Sequence, residues 1–256
     1  MSENKLKITE EVFVPEAAVY LLPVTLSDCA PQIVLPQYNL ELFRNIKFFV
    51  VENIRTARRF LKKVDHNINI DTLKIVELNE HTLESEIPDM LTPVLEGHAV
   101  GVMSEAGCPA VADPGARLVE LAQRKGVKVI PLVGPSSILL ALMASGLNGQ
   151  KFAFQGYLPV KDHEREKMIR DLESESRRKD ITQIFIETPY RNSKMMESLL
   201  KNLSGETLLC VAADVTDPTG EKIVTKSVKH WKSGGFELDK VPTIFLFYCL
   251  NPGNRK

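Results

Sequence analysis

The chain has 256 residues, 44% of them hydrophobic and 25% charged, with a formal net charge of −1. That length supports a substantial core in one large domain or two small ones. Near-neutrality excludes a generic polyanion binder, so any nucleic-acid contact must rest on a local patch. The longest apolar runs, such as residues 241–250, are too short to cross a bilayer, and residues 1–7 lack the apolar core of a signal peptide. Cys29, Cys108, Cys210 and Cys249 form no CxxC pair, and the five histidines are equally dispersed. The expectation is a cytoplasmic protein with reduced thiols, no metal site and no membrane segment.

In chain order, the first dozen residues are polar and expected to fray. Residues 18–23 read as a strand ending at Pro23, and residues 24–38 have no clean period. Residues 46–52 read as a buried strand, followed by a helix over 53–64; residues 74–78 are a further strand. Residues 81–95 place apolar side chains at helical spacing, with Pro88 and Pro93 set to shorten or kink the helix. A strand over 99–103 then opens into a loop of about twelve residues holding Gly107, Pro109, Pro114 and Gly115. That is about twice the usual length of a βα connection, which favours a binding role. A helix over 116–125 and a strand over 127–133 follow. Repeated strand–helix alternation predicts a mainly parallel sheet covered on both faces.

Gly134-Pro-Ser-Ser137 interrupts the rhythm, and the predicted domain boundary lies there, dividing the chain into residues 1–134 and 135–256. The helix over 138–146 is nearly all apolar, which predicts burial between layers. Beyond it come a strand at 151–157, a charged helix at 162–176, a loop holding Arg177, Arg178 and Lys179, and strands at 183–187, 208–214, 223–227 and 241–250, with a helix over 193–203. This half predicts a mixed sheet with antiparallel pairing. The fold class is α/β, in two α/β domains.

No GxxxxGK[ST], GxGxxG or GxSxG motif is present, which argues against a P-loop ATPase, an ordinary dehydrogenase and a hydrolase. The run Val102-Met-Ser-Glu-Ala-Gly-Cys-Pro-Ala-Val-Ala-Asp-Pro-Gly115 instead resembles the "vSDAGTPxxxDPG" loop of the tetrapyrrole-methylase superfamily. Further segments match in order. Phe48-Phe-Val-Val-Glu-Asn-Ile-Arg55 resembles "aEDTR", and Leu78-Asn-Glu-His81 resembles "HNE". Pro131-Leu-Val-Gly-Pro-Ser-Ser137 resembles "PlPGPSA", and Phe154-Gln-Gly-Tyr-Leu-Pro159 resembles "yeGFLP". Ile186-Glu-Thr-Pro-Tyr-Arg191 resembles "YESPHR", and Ala212-Ala-Asp-Val-Thr216 resembles "aREiT". Within the superfamily the motifs are most similar to the branch that methylates a cytidine ribose of small-subunit ribosomal RNA.

The resemblance implies a homodimer that binds S-adenosylmethionine between two α/β domains. It implies cofactor contacts from Pro23, Met103, Ser104, Glu105, Ala106, Gly107, Ser136, Ser137, Ala212, Ala213, Pro242 and Thr243, with ribosomal RNA or the small ribosomal subunit as partner. The first loop lacks the family's glycine, and Glu52-Asn-Ile-Arg55 lacks its Asp and Thr. These departures keep two alternatives open: methylation of a small tetrapyrrole-like substrate, or a catalytically silent S-adenosylmethionine-binding protein.

Glu52 and Arg55 are the candidate catalytic pair. Glu52 ends a strand and is placed to take a hydroxyl proton, or to serve as a helix N-terminal carboxylate. Arg55 would orient a phosphate or pair with Glu52. Glu187 and Arg191 would bind substrate or knit the second domain, and Asp113 would cap the helix that follows it. Arg55, Arg58, Arg59, Lys62 and Lys63 form a basic patch with no acid after Glu52, a face suited to RNA phosphates or to solvent.

Overall fold

In the computed structural model, residues 13–234 and 240–250 are described; the polar first dozen lie outside them. The chain divides into two compact units. The first comprises residues up to Val24 together with Ala30–Gly134, and the second Thr25–Cys29 with the remainder from Pro135. The short Thr25–Cys29 segment, which the sequence boundary leaves with the first half, goes with the second: Leu26 packs beside Ala141 and Ile244.

The first unit contains β1 (Val19–Leu21), α1 (Pro31–Val34), α2 (Gln37–Asn45), β2 (Phe48–Val51), α3 (Ile54–Val64) and β3 (Lys74–Glu77). It continues with α4 (Ile87–Met90), α5 (Thr92–Leu95), β4 (Val100–Met103), α6 (Gly115–Arg124) and β5 (Val129–Pro131). All strand pairings are parallel, in the order β3-β2-β4-β1-β5. Alternate residues supply two cores. Tyr20, Leu22, Phe49 and Val51 pack with Leu40, Phe43, Ala57 and Leu61 of α2 and α3. Val19, Val50, Val100 and Val102 pack with Ile87, Met90, Leu118 and Ala122 of α4 and α6. A sheet buried on both faces explains why its strands read as unbroken apolar runs.

Two expectations change here. The helix expected over 81–95 is two single turns, α4 and α5. Pro88 and Pro93 each sit in a first turn, where a missing N–H is harmless, and neither can lie in the interior of one long helix. The helix α2, set in a proline-flanked segment with no clean period, was not anticipated. It begins directly after Pro36 and buries Leu40, Leu42 and Phe43.

The second unit contains α7 (Ser137–Ser145), β6 (Phe152–Tyr157), α8 (Asp162–Lys179), β7 (Thr182–Glu187), α9 (Asn192–Asn202), β8 (Leu208–Ala213), β9 (Lys222–Ser227), α10 (Val228–Gly234) and β10 (Thr243–Tyr248). Its sheet runs β6-β7-β10-β8-β9, parallel only between β6 and β7. α8, α9 and α10 cover one face through Ile169, Leu172, Met195, Leu199 and Trp231. α7 covers the other with Ala141 and Leu142. Burial of α7 between layers does not hold: Leu139 is 50% exposed and Met143 78%. Arg177, Arg178 and Lys179 lie in the last turn of α8, not in a loop. Positive charge there offsets the negative end of the helix dipole and extends the helix. No helix among the described residues is long and apolar enough to cross a membrane.

Candidate functional site

In the first unit, β4 lies between β1 and β2, so the loops leaving their carboxyl ends meet at one edge of the sheet. Open α/β sheets bind ligands at such an edge. The Leu22 amide donates to the Val102 carbonyl at 2.9 Å and the Glu52 amide to the Met103 carbonyl at 3.2 Å, aligning the three strand ends. The Val24 amide donates to the Gly107 carbonyl at 2.9 Å. Pro23 is thereby brought beside the loop of Met103, Ser104, Glu105, Ala106 and Gly107. The Ser104 hydroxyl donates within that loop, to the Ala106 and Gly107 carbonyls. Gly134 closes the edge: a Cβ there would lie 2.2 Å from Cβ of Pro23, so only glycine permits this approach.

Glu52 sits where β2 gives way to α3. Its Oε2 accepts the Glu105 amide at 3.1 Å, so the candidate base is fastened to the loop expected to hold the cofactor. Its carboxyl is pushed up from the ordinary glutamate range, first by burial, then by the charges of Asp113 and Glu105. Asp113 is its neighbour. Asp113 Oδ1 accepts the Ala110 amide at 3.0 Å and the Gly115 amide at 2.7 Å, the latter at the first residue of α6. Its Oδ2 is buried and accepts no hydrogen bond, and its carboxyl lies beside that of Glu52. Asp113 thus does more than cap α6, a role its side-chain chemistry allowed but its sequence position did not reveal. Both carboxyls line a cleft of about 540 Å³ with Glu77, Asn79, His81 and Glu105.

The ion pair considered between Glu52 and Arg55 is absent. Arg55 is exposed, with no carboxylate at ion-pair distance among the described residues, because helical geometry turns it outward while Glu52 turns to the loop. Asn53, where the family has Asp, accepts the Arg55 and Thr56 amides at 2.9 and 3.2 Å and caps α3. The departure therefore keeps the capping function.

In the second unit, Ala212 and Ala213 end β8 opposite Ile244 and Thr243 of β10, and the Asp214 amide donates to the Pro242 carbonyl at 2.8 Å. Ala212, Ala213, Pro242 and Thr243 are thus brought together. Ser136 caps α7, its hydroxyl accepting the Leu139 amide at 3.5 Å, with Ser137 the first helical residue. Glu187 is buried, accepts the Thr188 amide at 2.7 Å and pairs with Arg191 at 2.9 Å, a knitting role. Asn192 was missed as a positioning residue. Its side-chain amide donates to the Val241 carbonyl and the Thr243 hydroxyl, at 2.8 and 3.0 Å, and so anchors the Pro242–Thr243 segment.

Left-handed backbone in non-glycine residues falls at Ala110 and Ala112 in the long loop, and at Asp214 and Thr216 after β8; Asp180 merely ends α8. Such strain collects at ligand sites. The first unit's strand ends fit an adenosylated sulfonium amino acid: the short Ala106 and Gly107 crowd the loop backbone little, and Glu52 and Glu105 make that edge hospitable to a cation. In the second unit Ala212 is fully buried and packs with Ala141, Leu142 and Ile244, and Ala213 is nearly so. Among the described residues no group of three or more His, Cys, Asp or Glu is arranged to hold a metal ion.

No protein-family model matches the chain. It is 30% identical over 211 residues to the ribosomal RNA small subunit methyltransferase I of Vibrio cholerae, covering 82% of this chain and 69% of that protein. To the protein of the same name from Mesorhizobium japonicum it is 32% identical over 241 residues, covering 94% and 77%. Its fold is similar to that of the methyltransferase CobJ, with a TM-score of 0.61 at 18% identity over 93% of this chain and 96% of that one. Cobalt precorrin-4 methyltransferase CbiF gives 0.56 at 19%, over 92% and 98%. The strand order, the loops gathered at the sheet edge and these similarities agree: the chain is a methyltransferase and belongs to the ribosomal RNA small subunit methyltransferase I family, with the tetrapyrrole-methylase fold.

Proposed function

We propose that the protein transfers the methyl group of S-adenosylmethionine to a ribose 2′-hydroxyl of small-subunit ribosomal RNA. The observation that carries this reading is the 32% identity across 94% of the chain to a ribosomal RNA small subunit methyltransferase I. When bound, S-adenosylmethionine supplies an electrophilic methyl carbon on a positively charged sulfur. Donor contacts fall to each unit by itself: in the first to residues 103–107 and Pro23, in the second to Ser136, Ser137, Ala212, Ala213, Pro242 and Thr243. Placement alone supplies much of the acceleration for an in-line displacement.

The acceptor hydroxyl loses its proton to Oε1 of Glu52, since Oε2 is committed to the Glu105 amide. The oxygen–methyl bond forms as the methyl–sulfur bond breaks, and the proton ends on Glu52. Burial and the charge of Asp113 raise the proton affinity of that carboxylate, which suits a general base. The protein works as a homodimer in the cytoplasm; the exposed Leu139 and Met143 of α7 provide apolar surface for association.

The test incubates purified protein and labelled S-adenosylmethionine with small ribosomal subunits or with a tetrapyrrole mixture. Label in ribosomal RNA at a ribose 2′-oxygen is the expected result. Label only in tetrapyrrole, or donor binding without transfer to either, refutes it. Light scattering at twice the protomer mass checks the dimer.

A further inference from the structure

We propose that the outer face of α3 is where this enzyme grips the phosphate backbone of its acceptor RNA. The inference rests on RNA as the acceptor and adds where the strand lies. α3 buries Ala57, Leu61 and Val64. At 3.6 residues per turn, Arg55, Arg58, Arg59, Lys62 and Lys63 then fall within an arc of roughly 140° on the opposite side. All five are exposed, and the helix itself contains no acidic residue. Arg55 lies in the first turn, where the helix dipole disfavours a cation, and the cap is the neutral Asn53. Local helix energetics therefore give no reason for Arg55 to be there.

Pairing separates this cluster from other arginines. Arg44, Arg117, Arg124, Arg165, Arg170 and Arg191 each have a carboxylate oxygen at 2.7–3.9 Å. Arg55, Arg58 and Arg59 have none among the described residues. Arg177 and Arg178 have none either, but they close α8, where the dipole accounts for them. On α3, three guanidinium groups are left uncompensated within about 6 Å of helix axis, on a protein whose net charge is −1.

Planar guanidinium forks match phosphate oxygens, and a local basic strip holds a polyanion that the whole molecule would not attract. An anionic membrane is the poorer occupant, because the outward arc has no large apolar side chain to insert. The strip starts one turn from Glu52, so a strand lying along it leads to the carboxylate-lined cleft.

The experiment measures binding of small ribosomal subunits between 50 and 200 mM salt for the wild type and for Arg58→Gln with Arg59→Gln and Lys62→Gln. Glutamine keeps the helix, and the three residues lie outside the catalytic and donor sites. Loss of three phosphate contacts lowers the slope of log affinity against log salt by about 2. The affinity deficit is then roughly fifteenfold larger at 50 than at 200 mM salt. The melting temperature stays unchanged. The control Arg177→Gln with Arg178→Gln removes like charges elsewhere and leaves the slope as it was.

An unchanged slope in the triple variant overturns the inference, as does an equal effect of the control or a loss confined to vesicles of anionic lipid. Methyl transfer by the wild type separates the two levels: transfer to RNA with an unchanged slope sinks only the α3 surface, whereas no transfer to RNA sinks the acceptor reading itself.

Discussion

Replacing Glu52 by glutamine should stabilise the protein and abolish most of its activity, a combination that a purely structural carboxylate would not give. In the native state the Glu52 carboxyl is raised above its ordinary range by burial and by the charges of Asp113 and Glu105. The native protein therefore binds a proton here more readily than the unfolded chain does. Stability falls as pH rises through the window between the unfolded value, near 4.3, and the higher native one. Above that window the native state carries the full cost of a charged Glu52 carboxylate that is partly buried and has Asp113 and Glu105 beside it. Glutamine removes it. Its carbonyl accepts the Glu105 amide, and its NH₂ donates to Asp113 Oδ2, the buried oxygen that accepts no hydrogen bond.

One new hydrogen bond and one relieved like-charge contact amount to roughly 1–2 kcal/mol at pH 8. That corresponds to an increase in melting temperature of about 2–8 °C. Near pH 3 the gap should narrow, since Glu52 of the wild type is then protonated in both the folded and the unfolded state. Loss of a general base lowers the methyl-transfer rate by roughly 10²–10⁴. The assays are thermal unfolding at both pH values and single-turnover transfer to small ribosomal subunits. A Glu52→Gln protein that melts lower at pH 8, or transfers methyl at the wild-type rate, refutes the reasoning.

Three further outcomes are expected. Gly134→Ala forces a Cβ to within 2.2 Å of Cβ of the rigid Pro23 ring; the overpacking costs about 1–3 kcal/mol, and calorimetry should show weaker binding of S-adenosylmethionine as Pro23 moves. Glu187→Gln leaves the Arg191 guanidinium without its counter-charge, a loss of about 3–5 kcal/mol by denaturant titration. Asn53→Ala strips the side-chain acceptor from the Arg55 and Thr56 amides and costs about 1 kcal/mol, whereas Asn53→Asp keeps that stability and, if α3 grips RNA, weakens binding to small ribosomal subunits by adding a negative charge at its end.

By itself the sequence determined the layer architecture. Unbroken apolar runs such as Phe-Phe-Val-Val at 48–51 read as strands buried on both faces, and the Gly/Pro loop after Met103 was legible as a connection of unusual length. Both signals are local, because periodicity and backbone permissiveness act over a few residues. What the proline-bearing segments would do was less legible: residues 81–95 have helical periodicity, yet Pro88 and Pro93 divide them into two turns, and α2 is held by burial of Leu40, Leu42 and Phe43.

Only the tertiary structure decided which groups meet. Glu52 and Asp113 are 61 positions apart in the sequence, and they face each other because β4 inserts beside β2 and carries the long loop back over the end of that strand. The same insertion gave Glu52 the Glu105 amide as its partner, in place of the nearby Arg55, and left Arg55 pointing outward with Arg58 and Arg59. Strand order is a long-range property, and no window of sequence shows which strand end will lie beside which.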